Sequence, residues 1–239
     1  MTPPRAIVVV PTYNERDNLP VLVEGLMKHD NVRVLVVDDQ SPDGTGDVAE
    51  ALGRAFPGRI GVLHRTTRRG FGRSCVDGMT RAVREPVDVV CTMDADLSHD
   101  PADLPPIIAA SAAADVVIGS RYVPGGRVVN WPLRRRILSR FANSYIRLVT
   151  RLTPRDCTSG YRCWRREALA AVPFDHILSD GYSFLIEMLF RAQQRGVRVA
   201  EVPITFVERR QGESKLSLAV IAESVVTPWR LAATRGRAG

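Results

Sequence analysis

Asp94-Ala95-Asp96 directly follows an apolar run at residues 87–93. In an extended chain, residues two apart point to the same side, so both carboxylates face one point. Two hard oxygen ligands suit Mg²⁺ or Mn²⁺. A metal held there can bind a diphosphate and neutralise charge on a departing one. Taken alone, the spacing also fits solvated or capping acids. Asp38-Asp39 closes a second apolar run, 34–37, and Ser41-Pro42-Asp43-Gly44 follows it. These residue types build turns and helix starts. A carboxylate here could equally accept hydrogen bonds from a nucleobase or ribose. The third cluster is Pro11-Thr12-Tyr13-Asn14-Glu15, after the run 6–10. Asn14 suits a helix cap, and Tyr13 suits stacking on a base.

The elements that must position these clusters alternate in type. Short apolar runs at 6–10, 34–37, 60–63, 87–93 and 116–118 read as strands, and helix-like segments fill 14–28, 44–55, 71–84 and 101–113. Continuous apolar strands alternating with helices imply a mostly parallel sheet with helices on both faces. In such α/β folds ligands gather at the carboxyl ends of strands. All three clusters lie at such ends, so they are expected to converge. Gly44-Thr45-Gly46-Asp47-Val48-Ala49 matches a dinucleotide fingerprint, but six residues separate it from its strand and no acid stands at 66–70. Both departures argue against a dehydrogenase.

The second half is organised differently. Pro124-Gly125-Gly126 breaks the chain, and a basic segment, 133–152, follows with Leu138, Phe141, Tyr145, Leu148 and Leu152 at helical spacing. Further helices are expected at 164–171, 184–195 and from about Lys215, and a strand or strand pair at 197–207, interrupted by Pro203. Residues 116–155 hold nine arginines and no acid, whereas the whole chain carries +7. So localised a charge points to an anionic partner: nucleic acid, an anionic membrane surface or a phosphorylated substrate. The blander reading is a solvated helix face.

With 239 residues, 45% hydrophobic and 25% charged, the chain suits one large packed domain. The cysteines Cys75, Cys91, Cys157 and Cys163 form no C-x-x-C pair and no zinc spacing, which suggests reduced thiols. The start shows no apolar leader, and the nearest candidate span, 216–233, is broken by Glu223 and Arg230. The expectation is a cytoplasmic protein that lies on a membrane without crossing it.

Seven stretches in order now carry a resemblance: VVVPTYNERDNL, VVDDQSPDGTGDVAE, MDADLSHDP, IGSRYVPGG, NWPLRRRILSRFAN, RDCTSGYRCWRREAL and VPITFVERRQGESKLS. Together they resemble glycosyltransferase family 2, and within it the polyprenol-phosphate (dolichol-phosphate) mannose synthases. The resemblance implies a GT-A-type Rossmann-like, mostly parallel sheet flanked by helices, with a C-terminal acceptor-side helical extension. It implies one domain, 1–239, with a nucleotide-sugar half at 1–123 and an acceptor and membrane-facing half at 124–239. It also implies inverting transfer of mannose from GDP-mannose to a polyprenyl phosphate, with Mg²⁺ or Mn²⁺.

Residue by residue, Pro11, Tyr13, Glu15, Val37 and Asp39 match nucleotide-binding positions, and Asp94, Ala95 and Asp96 match the diphosphate and metal motif. Arg121 matches an arginine facing the phosphates, and Arg209 and Lys215 match a basic loop over donor and acceptor. Arg135 and Ser139 match contacts to the lipid phosphate. Asp94, Asp96, Arg121 and Arg209 are the expected catalytic residues. Many family members carry Gln two residues after the second Asp, where this chain has Ser98, which would be the third metal contact. His99 reads as an incidental exposed residue. Because no span is expected, a separate membrane-anchoring protein would fit. Transfer of glucose or another sugar, a soluble or polysaccharide acceptor, and a nucleic-acid-binding module stay open as rival readings.

Overall fold

A computed structural model describes residues 3–174, 177, 179, 181, 183–208 and 218–234. In chain order the strands are β1 (Ala6–Thr12), β2 (Val32–Asp38), β3 (Ile60–His64), β4 (Val89–Thr92), β5 (Val116–Ser120), β6 (Arg127–Val129), β7 (Arg162–Arg165), β8 (Val199–Pro203) and β9 (Thr205–Val207). The helices are α1 (Asn18–Met27), α2 (Thr45–Ala55), α3 (Phe71–Ala82), α4 (Leu104–Ala110), α5 (Leu133–Thr150), α6 (Arg166–Ala170), α7 (Ser183–Gln194) and α8 (Leu218–Ala233). The described residues build a seven-stranded sheet in the order β3-β2-β1-β4-β7-β5-β8, with β6 and β9 paired beside it. Every pairing in the large sheet is parallel except the two made by β7.

β1 shows why the sheet is covered on both sides. Its residues alternate faces. Val8 and Val10 pack with Leu19, Leu22 and Ile107. Ile7 and Val9 pack with Met79, Phe184 and Leu189 on the other face. A strand buried on both faces must be apolar throughout, hence the continuous runs in the sequence. Helix α3 approaches very closely: a Cβ on Gly78 would stand 2.4 Å from Val9 and 2.7 Å from Val37. Only glycine lets a helix settle onto the sheet at that spacing.

Three local expectations are corrected. Residues 164–171 do not form one helix. Cys163 and Trp164 pair with β4 on one side and β5 on the other, and only 166–170 are helical. Insertion between two strands buries Trp164 to 1% exposure and overrides its local preference. Asn14 does not cap α1, which starts at Asn18 behind Asp17. The expected helix 101–113 is a 3-10 turn, Pro101–Asp103, followed by the shorter α4.

Candidate active site

The sheet order reverses between β1 and β4, since the connections from β1 run outward to β2 and β3 on one side and to β4 and beyond on the other. Parallel strands leave a crevice at such a switch point, beyond their carboxyl ends. A cavity of about 460 Å³ lies there, lined by the loops after β1, β2, β3 and β4. Pro11, Tyr13, Glu15, Asp39, Asp94, Ala95 and Asp96 all line it, so the three clusters do meet. Asn14, Gln40 and Leu97, one in each of three of these loops, hold a left-handed backbone with φ of 60°. Such conformations cost about 1–3 kcal/mol each and persist where the surroundings over-determine them.

Two carboxylates in the cavity are rigidly held. Asp96 Oδ1 accepts from the Ser98 backbone N–H at 3.1 Å and from the Ser98 hydroxyl at 2.6 Å. Behind Asp94, a Cβ on Gly160 would lie 3.2 Å from both carboxylate oxygens and would press the carboxylate out of its place by a few tenths of an ångström. Among the described residues no group of three or more His, Cys, Asp or Glu side chains forms a closed metal cage. Two carboxylates at the mouth of a nucleotide-sized cavity are nonetheless the donor set that Mg²⁺ or Mn²⁺ takes beside a substrate diphosphate and water. The residues present therefore fit the implied cation.

Asp39 is buried beside Arg65, whose Nη1 donates to its Oδ1, while the Gly70 N–H donates to Oδ2 at 2.9 Å. Arg65 also donates to Asp77 at 2.7 Å, and so is itself fixed. Arg69, Gly70, Phe71 and Ser74 complete that wall of the cavity. Arg69 donates to the Tyr13 hydroxyl at 3.1 Å and lies 5.0 Å from the centroid of its ring. None of these four was read from the sequence. The signal present was the basic pair and glycine that open α3 just beyond β3.

Other expected residues lie elsewhere. The Val37 side chain packs under α3, away from the cavity, so any contact it makes there is through its backbone. Arg121 is buried at the end of β5. It donates to Asp156 from Nε at 2.7 Å and from Nη2 at 2.6 Å, and from Nη2 to Thr158 at 2.7 Å. Its Cζ lies 5.3, 5.8 and 5.2 Å from the rings of Tyr122, Trp131 and Phe206. Nη1 forms no hydrogen bond to a described residue. Burial pushes the Asp156 carboxyl up, but the Arg121 charge and hydrogen bonds outweigh it, and the net shift is downward. The pair is therefore ionised. Arg135 pairs with Glu208 at 2.7 Å and lies 4.0 Å over Trp131. Ser139 accepts from the Tyr122 hydroxyl at 2.6 Å. Arg209 and Lys215 lie outside the described residues.

His99 is a correction: it is 2% exposed, not a surface residue. Its Nδ1 accepts from the Asp94 N–H at 3.4 Å, and its ring packs on Tyr161 and Phe206. Burial lowers its pKa to about 4, so it is a neutral prop behind the Asp94 loop.

Comparison with known proteins decides the family. Glycosyl transferase family 2 matches residues 7–172. The chain belongs to glycosyl transferase family 2. It is 46% identical over 238 residues to a polyprenol monophosphomannose synthase of Mycolicibacterium smegmatis, covering 98% of this chain and 88% of the relative. It is also 46% identical to an undecaprenyl-phosphate mannosyltransferase of Micrococcus luteus, covering 96% and 95%. Its fold is similar to glucosyl-3-phosphoglycerate synthase of Mycobacterium tuberculosis, solved with Mn²⁺, UDP and glucosyl-3-phosphoglycerate, with a TM-score of 0.71, 18% identity and coverage of 96% and 80%. A mannosyltransferase of Pyrobaculum calidifontis in complex with GDP-Man and Mn²⁺ gives a TM-score of 0.59, 18% identity and coverage of 100% and 77%. The family-2 chain is thus a glycosyltransferase with a GT-A-type sheet.

Proposed function

We propose that this glycosyltransferase moves mannose from GDP-mannose to a polyprenyl phosphate at a membrane surface, inverting the anomeric centre. The observation that carries it is one of juxtaposition. A carboxylate-lined cavity sits in the same unit as an arginine-rich helix, α5, whose Leu138, Phe141 and Leu148 are 65%, 69% and 81% exposed. The names of the two 46%-identical relatives support the sugar and the lipid acceptor. The GDP-Man and Mn²⁺ in the Pyrobaculum calidifontis complex support the donor and metal.

In this reading Tyr13, Asp39 and the Pro11–Glu15 loop bind the nucleoside, with Val37 contributing through its backbone. A divalent cation on Asp94 and Asp96 would neutralise charge developing on the departing GDP. Ser98 acts through Asp96, to which its hydroxyl donates. The acceptor phosphate is already largely anionic near neutral pH, with a second pKa of about 6. Its oxygen bonds to the anomeric carbon as the bond to the diphosphate breaks, so no protein base need remove a proton. The protein's task is to hold two anions together. Arg121 offers Nη1 to the phosphates, and Arg135 and Ser139 stand on α5 for the acceptor. Arg209 and Lys215 remain assigned to the loop over both. Arg121 turns its fork onto Asp156, which fixes the direction in which the remaining nitrogen points.

α5 and α8 pack together, Tyr145 donating to the Val225 carbonyl at 2.8 Å. Val225, Val226 and Trp229 of α8 are also exposed. No helix among the described residues is long and apolar enough to cross a membrane. Apolar side chains interleaved with Arg134, Arg136, Arg140 and Arg147 suit the interface of an anionic bilayer. A membrane-anchoring protein would find the same face.

Labelled GDP-mannose incubated with polyprenyl phosphate tests the reading. Label should enter the organic phase with Mg²⁺ or Mn²⁺ and stay out of it with EDTA. Label on a soluble acceptor instead would retain the glycosyltransferase and discard the lipid.

A further inference from the structure

The loop 156–160, between α5 and β7, is largely buried, unlike most connections. Several parts of the molecule close on it. From β5, Arg121 lays its guanidinium on Asp156 and Thr158. From β4, Thr92 donates to the Gly160 carbonyl at 2.7 Å, and Asp94 rests against Gly160. From β7, Arg162 donates to the carbonyls of Ser159 and Cys157 at 2.9 and 2.8 Å. From α5, Asn143 accepts from the Cys157 N–H at 2.8 Å and donates to Thr158 Oγ1 at 3.2 Å.

Asn143 is 3% exposed on a helix that otherwise buries only Ile146 and Thr150. A buried amide is costly unless both ends are bonded. Here both are, and most of those bonds reach this loop. Thr158 is used as fully. Its oxygen accepts from Arg121 Nη2 and Asn143 Nδ2, and its one proton goes to Asp156 at 3.3 Å.

We infer that Asn143 and Thr158 are positioning residues, which fix the Arg121 guanidinium and the wall behind Asp94 in register with helix α5. This rests on the reading of Arg121 and α5 given above. The acceptor helix and the donor carboxylate then move as one body, and a tilt of α5 displaces the cation that faces the phosphates. A hydroxyl is needed at 158, and Ser supplies it where Val, of Thr's shape, does not.

Transfer kinetics of Thr158→Val, Thr158→Ser, Asn143→Leu and the Asn143→Leu/Thr158→Val double variant test this. Thr158→Val should lose about tenfold in kcat, the effect of about one hydrogen bond, with KM for the donor within about twofold of wild type. Thr158→Ser should recover most of that loss. The double variant should lose no more than its worse single, since both residues act on one guanidinium. Full kcat in Thr158→Val, or equal loss in Thr158→Ser, would overturn the inference. So would a double variant in which the losses multiply. A loss that tracks only the folded fraction on melting would do the same. The contrast is read on whichever acceptor the wild-type enzyme uses, so failure of polyprenyl phosphate would fail the functional reading and leave this one testable.

Discussion

Asp96 accepts two hydrogen bonds from Ser98, and these set the plane of its carboxylate. The two residues should therefore fail differently. Asp96→Asn removes a ligand charge, and kcat should fall by about 100-fold or more at any metal concentration. Ser98→Ala leaves the charge and the backbone N–H bond but removes the hydroxyl that braces Asp96, and loss of such a supporting contact typically costs about 10–100-fold in metal affinity. Activity in Ser98→Ala should return as Mn²⁺ is raised, and metal titrations of the two variants check this. The three acidic or polar clusters were legible because their residue types are conspicuous at the ends of apolar runs. Asp156 was not, because nothing near position 156 announces that it faces Arg121, thirty-five residues away.

At the level of elements, α5 inverts the usual reading of an amphipathic helix. A stripe at helical spacing normally faces the core. Here Leu138, Phe141 and Leu148 face outward, while Asn143, Ile146 and Thr150 are buried. The periodicity fixed the helix but not which face is covered, since that depends on where β7 and α8 lie. The double change Leu138→Glu/Phe141→Glu should lower flotation with anionic vesicles by about tenfold or more, from lost apolar area and added negative charge. Melting should barely change, because both side chains are already mostly in water. Wild-type binding should weaken with added salt.

For the whole molecule, the cavity draws its walls from four loops at the end of one sheet. A ligand that spans them binds only the folded chain and stabilises it by mass action. At about 100 times its Kd, GDP with Mn²⁺ should add about 2.7 kcal/mol, or roughly 5–10 °C in Tm for a chain of this size. EDTA should abolish most of that shift, because the Asp94 and Asp96 carboxylates repel a diphosphate that no cation compensates. Thermal melts with each addition check this. An equal shift with EDTA present would argue that the base and ribose contacts suffice.

What the sequence determined by itself was the alternation of strands and helices and the clusters at the strand ends. A parallel sheet sends every carboxyl end to one edge, so local order alone brings those clusters together. The tertiary structure decided what local order cannot. It turned Val37 under α3, buried His99 as a neutral prop and slid β7 between β4 and β5. It also locked Arg121 onto Asp156 and split the α5 stripe, turning Leu138, Phe141 and Leu148 to solvent while Leu152 and Tyr145 pack on the core. Each depends on contacts between residues far apart in the chain, where neither propensity nor period carries information, and the packing of whole elements sets the outcome.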